Sequence, residues 1–310
     1  MTRPDPLAAP ALAAGTADAV QPAEGARWRL VLGVFKLRIG VLIMLTAIAG
    51  LAIVPEGSAS AVQAFILALS VLVASASAGA FNQYVEADSD RLMKRTRGRA
   101  FASGALTRGP RWIALIVGLL VAAVVAAGLW VNWVAAGFVL LGALTYAIVY
   151  TVGLKRRTPW NIVIGGLAGS FAVLAGAAAV DPAIGPQALL LALVLFLWTP
   201  PHFWSLAIAN ADQYAAAGVP MLPVVVGTTR AARIVHANAI VLVLASLTPL
   251  AFGAGWAYAA GAVIGGAYFL RKTRALARDP RRETAMTSFF ASMAQLSALI
   301  VGVLIDAALR

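Results

Sequence analysis

Nine long apolar stretches follow one another along the chain and constrain its fold more than any other feature. A helix needs about 20 mostly apolar residues to cross the hydrocarbon core of a bilayer. A soluble domain could not bury so much apolar surface, because 61% of the 310 residues are hydrophobic and only 12% are charged. The sequence therefore predicts an all-α, polytopic membrane protein with nine transmembrane helices. The stretches cover residues 37–55, 60–86, 112–130, 133–152, 160–180, 187–208, 232–252, 255–270 and 286–308, of which the eighth is short.

The connections between these stretches alternate sharply in charge. Those after the first, third, fifth and seventh stretches contain no Lys or Arg. The other connections, the stretch ends beside them and the N-terminal flank contain all of the 24 Lys and Arg residues except Arg310. Cytoplasmic loops of membrane proteins carry an excess of cations. We therefore expect the N terminus in the cytoplasm and the C terminus on the outer, periplasmic side.

The rarest residue types exclude several kinds of site. The chain has no cysteine and only two histidines, His202 and His236. Disulfides and thiolate metal sites are therefore excluded, and a metal site built from several histidines is not expected. The formal net charge of +12 lies in short loops between apolar stretches, which indicates membrane topology rather than a nucleic-acid groove.

The first residues of the chain differ from the rest. Residues 1–27 are rich in Ala, Pro and Gly and show no periodic apolar pattern, which predicts a disordered tail. We expect residues 28–310 to form a single transmembrane domain. A mitochondrial transit peptide is rich in Arg and poor in acidic residues, whereas this tail contains Asp5, Asp18 and Glu24. The expected location is therefore a bacterial inner membrane.

A row of polar side chains begins where the second apolar stretch ends. Asn82, Glu86 and Asp90 are four residues apart. On a helix each step of four turns the side chain by only about 40°, so the three share one face over roughly 12 Å of helix axis. Asp88 falls on a different face. Carboxylates at the end of a membrane segment are costly and usually functional, and the helical register argues against a merely solvated flank.

Two further polar segments are expected on the same side of the membrane as the row. Residues 150–161 add cations and aromatic side chains, and Asn210 and Asp212 arrive at the end of the sixth stretch, before a tract rich in Pro and Gly. Mg²⁺ prefers carboxylate and amide oxygens, while guanidinium and ammonium groups bind phosphate oxygens. The three segments together predict a site for a magnesium-bound diphosphate.

The row resembles the first aspartate-rich motif, Asn-x-x-x-Asp-x-x-x-Asp, of the UbiA-type intramembrane prenyltransferases, with Glu86 where the motif usually has Asp. From about residue 30 to the C terminus, four blocks also resemble the protoheme IX farnesyltransferase (heme O synthase) branch of that superfamily, although Ala100 stands where Pro is common. The blocks are Asp-Arg-Leu-Met-Lys-Arg-Thr at 90–96, Lys-Arg-Arg-Thr-Pro-Trp-Asn-Ile at 155–162 with Gly165 and Gly166, Pro-His-Phe at 201–203, and Gly-Val-Pro-Met-Leu-Pro-Val at 218–224.

The resemblance implies a fold and a reaction. It implies nine helices around a central cavity, with the diphosphate bound at the cytoplasmic mouth. It also implies transfer of a farnesyl group from farnesyl diphosphate to a vinyl group of heme b, giving heme O, with Mg²⁺ as the cofactor. Partners implied with it are the lipid bilayer and, as a candidate, a heme A-forming enzyme.

Site residues follow from the positions that match the motif. The resemblance makes Asn82, Glu86 and Asp90 direct or water-bridged Mg²⁺ ligands in the catalytic site. It places Asp212 in the same cluster or at a second Mg²⁺, with Asn210 as a weaker companion. Candidate diphosphate contacts, each of which could equally be only a topology signal, are Lys94, Arg95, Arg97, Lys155 and Arg156. Arg97 could also pair with Asp88.

The histidines and aromatic residues keep two interpretations each. His202 is a candidate ligand of the heme iron, since neutral imidazole suits iron, but it could equally be a hydrogen-bonded structural residue. We interpret His236 as structural. Five aromatic residues either line the prenyl cavity or form interfacial belts: Tyr84, Tyr146, Tyr150, Trp160 and Trp204.

Two other functions remain open on the sequence. A UbiA-type enzyme could instead prenylate an aromatic quinone precursor such as hydroxybenzoate or naphthoate, although the Pro-His-Phe and Gly-Val-Pro-Met-Leu-Pro blocks favour heme. A transporter would also have intramembrane acids, but near the bilayer midplane and in discontinuous helices. The acids here lie at one edge of the apolar stretches, which favours a substrate that arrives from the aqueous side.

Overall fold

The computed structural model describes residues 24–55 and 59–310, with side chains from residue 28 onward. Within these ranges every regular element is a helix, as predicted. The tail predicted for residues 1–27 lies outside the described residues, apart from 24–27, which begin the first helix. The helices are α1 Glu24–Val34, α2 Leu37–Ala52, α3 Ala61–Val85, α4 Ala87–Leu92, α5 Pro110–Trp130, α6 Trp133–Leu144, a π-helix Thr145–Leu154, α7 Asn161–Gly165, α8 Leu167–Val180, α9 Pro186–Ala209, α10 Ala211–Ala216, α11 Leu222–Val226, α12 Thr228–Leu247, a 3₁₀-helix Thr248–Phe252, α13 Trp256–Arg278 and α14 Arg282–Ala308.

The number of membrane-crossing helices is seven or eight in the described residues, by length and composition. Seven units qualify alone, and an eighth is the pair Trp28–Val34 and Leu37–Ala52, which is bent by 43°. The remaining long helix, α13, is at the position of the short eighth stretch and is not among them, because cations occupy its last turns. The count of nine transmembrane helices therefore stays a prediction.

Local signals explain where several helices begin. Ser60 and Gln63 form a capping box at the start of α3, in which each side chain accepts the backbone N–H of the other residue. Pro110 and Pro186 stand in the first turns of α5 and α9, where the N–H that proline lacks has no helical partner. These signals lie within a few residues of each helix end, so the sequence alone determines these boundaries.

Glycines set how closely some helices pack. A Cβ at Gly176 of α8 would overlap the backbone of α2 at Ala47, and a Cβ at Gly50 of α2 would overlap the backbone of α8 at Val173. The same close approach joins α13 to α14, where a Cβ on Gly261 would meet the backbone of Ala298. Such small-residue contacts are typical of helix pairs in membranes, and they hold α2 close against α8.

The loops after α4 and α9 fold together at that end. Met93, which follows α4, is buried in one cluster with Tyr214 and Met221 from the segment after α9. The backbone N–H of Arg95 donates to Oε1 of Gln213 at 3.2 Å. The two polar loops that the sequence places on one side of the membrane are therefore in direct contact.

Candidate active site

Asn82, Glu86 and Asp90 form one continuous row although the helix that carries them is broken. Glu86 lies between the end of α3 at Val85 and the start of α4 at Ala87, yet its N–H still donates to the carbonyl oxygen of Asn82 (3.0 Å), and the N–H of Asp90 donates to the carbonyl oxygen of Glu86 (2.8 Å). Helical register is thus kept, and the three residues are only 2%, 3% and 1% exposed. The side chain of Asp88, on the other face, is 62% exposed.

Each member of this row contacts a different cation. Nζ of Lys36 donates to Oδ1 of Asn82 at 2.5 Å, and Nζ of Lys155 lies 2.5 and 2.6 Å from the two carboxylate oxygens of Glu86. Nη1 of Arg99 donates to Oδ2 of Asp90 at 2.7 Å. We call these six residues the charged mouth. Buried carboxylates need such partners, because an unpaired buried charge is costly.

Unusual backbone geometry brings two of the cations to the row. Lys36 lies at the bend between α1 and α2 and adopts a left-handed conformation, with φ of 49°. Lys155 follows the π-helix, whose wider turn is closed by the N–H of Lys155 donating to the carbonyl oxygen of Tyr150 at 2.9 Å. Left-handed non-glycine residues and π-helical turns both cluster at functional sites.

Two tyrosines of the π-helix form the wall beside the charged mouth. The rings of Tyr146 and Tyr150 stack with their centroids 5.6 Å apart. Nζ of Lys36 lies 5.8 Å from the Tyr146 ring and Nζ of Lys155 lies 5.8 Å from the Tyr150 ring. Both ring faces therefore already accommodate positive charge. Thr151 of the same helix accepts a 3.0 Å hydrogen bond from Nδ2 of Asn82, which turns the amide oxygen toward Lys36.

The oxygen atoms of the row fit a magnesium ion. Oδ1 of Asp90 is buried and has no hydrogen-bond partner among the described residues, which is unusual for a carboxylate oxygen. No three acidic, His or Cys side chains lie close enough together to hold a metal by themselves anywhere in residues 28–55 and 59–310. Mg²⁺ is usually bound by one or two carboxylates together with substrate phosphates and water, so Asp90 and Glu86 suffice as its protein carboxylates.

The second polar loop meets the first but does not extend the row. Asp212 in α10 is exposed, and no hydrogen bond or ion pair joins it to the row in the part of the chain that the structure describes. Asn210 is buried, and its amide groups bond to the carbonyl oxygen of Leu206 and to Gln213. The contact between the loops is made by Gln213, not by Asp212.

The predicted diphosphate cations divide into two groups. Lys155 is part of the charged mouth, whereas Lys94, Arg95, Arg97 and Arg156 are exposed around it. The suggested pairing of Arg97 with Asp88 is wrong. Oδ1 and Oδ2 of Asp88 bind both terminal nitrogens of Arg108 at 3.1 Å, and Arg91 lies 3.8 Å away.

Sequence reasoning missed Lys36 and Arg99 as site residues. Both fell among the cations that the positive-inside pattern accounts for, and neither has a spacing that links it to the row. Lys36 is 46 positions from Asn82, so no local periodicity relates them. A cation that interrupts an apolar helix was the one available signal for Lys36.

The aromatic candidates have three different environments. Tyr146 and Tyr150 line the charged mouth, as described above. Tyr84 packs edge-on against Phe101 at 5.6 Å beneath the loop after α4. Trp204 is buried in the cluster around Met93, whereas Trp160 is exposed.

His202 lies in the second half of α9, within a different kind of polar cluster. Its ring is stacked between Trp198 and Phe289, with centroids at 4.2 and 4.4 Å. Nδ1 of His202 contacts Oγ of Ser292 in α14 at 2.7 Å, and one turn along α9 the hydroxyls of Ser205 and Ser288 are 2.9 Å apart. We call His202, Ser205, Ser288 and Ser292 the hydroxyl seam.

His236, the second histidine, makes a structural contact. Its Nδ1 lies 2.9 Å from Oγ1 of Thr273 in α13, and it has no aromatic neighbour comparable to those of His202 among the described residues. This agrees with its interpretation as a residue that joins two helices.

Comparisons with known proteins find similar sequences over most of the chain. The model of the UbiA prenyltransferase family matches residues 43–294. Protoheme IX farnesyltransferase 2 of Paramagnetospirillum magneticum is 54% identical over 91% of this chain and 98% of its own length. Protoheme IX farnesyltransferase of Methylococcus capsulatus is 38% identical over 92% of this chain and 96% of its own.

Solved structures show the same fold at low identity. A structure of digeranylgeranylglyceryl phosphate synthase has a TM-score of 0.75 and 18% identity, covering 92% of this chain and all of its own. A UbiA homolog from Archaeoglobus fulgidus, bound to DMAPP and Mg²⁺, has a TM-score of 0.64 and 14% identity over 86% of this chain and 99% of its own.

Proposed function

The chain belongs to the UbiA prenyltransferase family, and from this premise we propose that it transfers a farnesyl group from farnesyl diphosphate to a vinyl group of heme b, giving heme O. Relatives that match nearly the whole chain carry the name protoheme IX farnesyltransferase. They favour heme over an aromatic quinone precursor as the acceptor. The observation that carries the proposal is the charged mouth, in which each member of a buried oxygen row contacts its own cation.

The proposed diphosphate site uses both signs of charge in the charged mouth. Asn82, Glu86 and Asp90 would hold Mg²⁺ directly or through water, with the unpartnered Oδ1 of Asp90 as a ready ligand. Asp212 would join through the substrate or at a second Mg²⁺. The phosphate oxygens would be bound by Lys155 and, beyond the sequence candidates, by Lys36 and Arg99. The exposed Lys94, Arg95, Arg97 and Arg156 would guide the anion to this site.

The residues of the charged mouth stabilise the departure of the diphosphate. As the bond between C1 of the farnesyl group and oxygen breaks, the electron pair stays on the diphosphate, whose growing charge is met by fixed cations. Mg²⁺, when bound, adds positive charge against the same oxygens. The rings of Tyr146 and Tyr150 already have the ammonium groups of Lys36 and Lys155 beside them. The rings can stabilise the allylic cation by the same cation–π attraction.

Capture of the cation completes the reaction. The vinyl π electrons of heme form the new carbon–carbon bond, water adds to the carbon next to the macrocycle, and one proton is released. Exclusion of bulk water until the carbon–carbon bond has formed prevents simple hydrolysis of the prenyl group.

His202 is the proposed contact for the acceptor. It stands in the Pro-His-Phe block, about 12 Å along the helix axis from Asn210 at 1.5 Å per residue, and thus deeper than the loop. Neutral imidazole is a common iron ligand. The proposal is that His202 binds the heme iron and so orients a vinyl group.

The proposed setting is a bacterial inner membrane, with the charged mouth facing the cytoplasm. All Lys and Arg residues except Arg310 lie on the side predicted to be cytoplasmic. The guanidinium of Arg310 binds the carbonyl oxygens of Ala52 and Val54 at the opposite end of α2. A heme A-forming enzyme is the proposed consumer of the product.

A membrane assay tests this function. Heme b and farnesyl diphosphate are added to membranes that contain the full chain, with and without Mg²⁺. The mass of the heme product is measured by mass spectrometry. We expect a metal-dependent gain of one farnesyl group and one hydroxyl group, which turns a vinyl group into a hydroxyethylfarnesyl group, and this gain should be lost in Asp90→Ala and kept in Asp88→Ala. Diphosphate release with hydroxybenzoate but not with heme would keep the metal site and overturn the acceptor.

A further inference from the structure

The contact between His202 and Ser292 determines which ring nitrogen carries the proton. Oγ of Ser292 lies 2.7 Å from Nδ1 of His202 and 2.6 Å from the carbonyl oxygen of Phe289. A hydroxyl has one hydrogen to donate, and a carbonyl oxygen can only accept. If the hydroxyl donated to Nδ1, two oxygen lone pairs would face each other at 2.6 Å with no proton between them. The hydroxyl therefore donates to Phe289 and accepts from Nδ1–H.

The opposite nitrogen, Nε2, consequently carries the lone pair of the neutral ring. Among the side chains of residues 28–55 and 59–310, the hydrogen-bond partner of the ring is Oγ of Ser292, which the ring contacts through Nδ1 and not through Nε2. His202 is 7% exposed, and Nε2 is not one of the fully buried side-chain atoms that lack a partner among the described residues, so this nitrogen is accessible to a ligand. Nε2 is thus presented as a free electron-pair donor inside the bundle.

The orientation of the ring is fixed as firmly as its tautomer. Trp198 and Phe289 stack on opposite sides, with interplanar angles of 20° and 27°. Nε1 of Trp198 donates to the carbonyl oxygen of Ser292 at 2.8 Å, which ties this sandwich to the same turn of α14. Rotation of the imidazole out of its plane would break both stacking contacts, and a 180° flip would break the contact between Nδ1 and Ser292.

We propose that Ser292 is a positioning residue for the acceptor: it holds His202 in the Nδ1–H tautomer and so presents Nε2 to the heme iron. Metal-ligating histidines generally donate their second N–H to a fixed acceptor, which sets ring orientation and raises ligand basicity. Here a serine hydroxyl, itself anchored to a backbone carbonyl, fills that place. This inference rests on heme as the proposed substrate and on no residue of the charged mouth.

The chain contains a matched control for this arrangement. His236 also places Nδ1 against a hydroxyl, that of Thr273, which donates to the carbonyl oxygen of Leu270 at 3.1 Å. The stacking partners of His202 are missing there within the described residues. Variants at His236 and Thr273 therefore remove the same kind of contact at a site that is not proposed to bind iron.

Heme spectroscopy on the purified full-length protein tests the inference. Ferric heme b is titrated into wild type, and the Soret band and the electron paramagnetic resonance spectrum are recorded. We expect a histidine-ligated spectrum that His202→Ala abolishes. Ser292→Ala should shift the spectrum and weaken heme binding by about 10- to 100-fold, the usual scale for loss of such a partner. Ser292→Thr keeps a hydroxyl and should retain the wild-type spectrum and heme affinity. His236→Ala and Thr273→Val should also leave the spectrum and the heme affinity unchanged.

Two results would overturn the inference. Ser292→Ala with the wild-type spectrum and heme affinity would show that the hydroxyl does not position the ligand. An unchanged spectrum in His202→Ala would show that His202 is not a ligand of the heme iron. Failure of farnesyl transfer is a separate outcome, because the spectra are recorded without farnesyl diphosphate. A His202- and Ser292-dependent spectrum in a protein without transferase activity would overturn the proposed function alone.

Discussion

The charged mouth and the hydroxyl seam solve the same problem, polar groups inside an apolar bundle, in opposite ways. In the charged mouth, buried anions and an amide oxygen contact Lys36, Lys155 and Arg99, which come from three separate parts of the chain. In the hydroxyl seam, all groups are neutral and joined by short hydrogen bonds between α9 and α14.

This difference indicates what each region can do. Ion pairs exchange partners readily when a more highly charged ligand arrives, because a carboxylate oxygen that contacts Lys155 can contact a metal instead. Hydroxyl hydrogen bonds have fixed directions and hold one side chain in one tautomer. The charged mouth is suited to bind and release a charged leaving group, and the hydroxyl seam is suited to hold an acceptor in one orientation.

The largest expected effect separates the two regions completely. Asp90→Asn removes the charge of a carboxylate whose Oδ1 is buried without a partner among the described residues, and activity should fall by about 10²- to 10³-fold, the scale for losing one preorganised electrostatic contact. Ferric heme binding should not change, because the hydroxyl seam is intact. Farnesyl transfer and heme titration on the same preparation check both statements. Weakened heme binding in Asp90→Asn would show that the charged mouth and the hydroxyl seam do not act independently.

A smaller effect tests the exchange of partners in the charged mouth. Lys155→Met frees both oxygens of Glu86, so the affinity for Mn²⁺ alone should rise by about tenfold, the equivalent of one charged hydrogen bond. Affinity for inorganic diphosphate should fall in the same variant. Electron paramagnetic resonance of Mn²⁺ with and without diphosphate measures both, and Arg157→Met is the exposed neighbouring control. Unchanged Mn²⁺ affinity would mean that Lys155 and the metal do not compete.

A change in the scaffold should disturb both regions together. Gly176→Ala places a methyl group into the backbone of α2, and overpacking of this kind costs about 1–3 kcal/mol of stability. The unfolding temperature in detergent should fall, with a parallel loss of transfer activity and heme binding. Gly118→Ala is the control, since a Cβ there meets no atom within 4 Å. Loss of activity at an unchanged unfolding temperature would contradict this explanation.

The smallest effect is expected at the carboxylate that lies outside the row. Asp88 is mostly exposed and binds Arg108 and Arg91, and exposed ion pairs contribute only about 0–1 kcal/mol. Asp88→Asn should therefore change activity by less than about twofold, although it is two residues from Asp90. Kinetics at several salt concentrations check this. A loss approaching that of Asp90→Asn would show that position in the helix, rather than face, defines the site.

The sequence by itself determined the helices and the row. Hydrophobic length predicts each long helix, and proline and capping residues determine several starts, because these depend on neighbours a few positions away. The four-residue spacing of Asn82, Glu86 and Asp90 predicts one face, and the structure shows one buried face even across the break at Glu86. Motif blocks also indicated the family, since they record order and spacing along the chain.

Only the tertiary structure decided which groups meet. Lys36 reaches Asn82 across 46 positions, Lys155 reaches Glu86 across 69, and His202 reaches Ser292 across 90. Asp212 was predicted from its place at a helix end, and the fold leaves it exposed while Gln213 makes the contact between the loops. Partners at such separations are chosen by how whole helices pack, at points such as Gly50 and Gly176 where backbones touch. Local periodicity carries no information about these distances, because it describes one helix at a time.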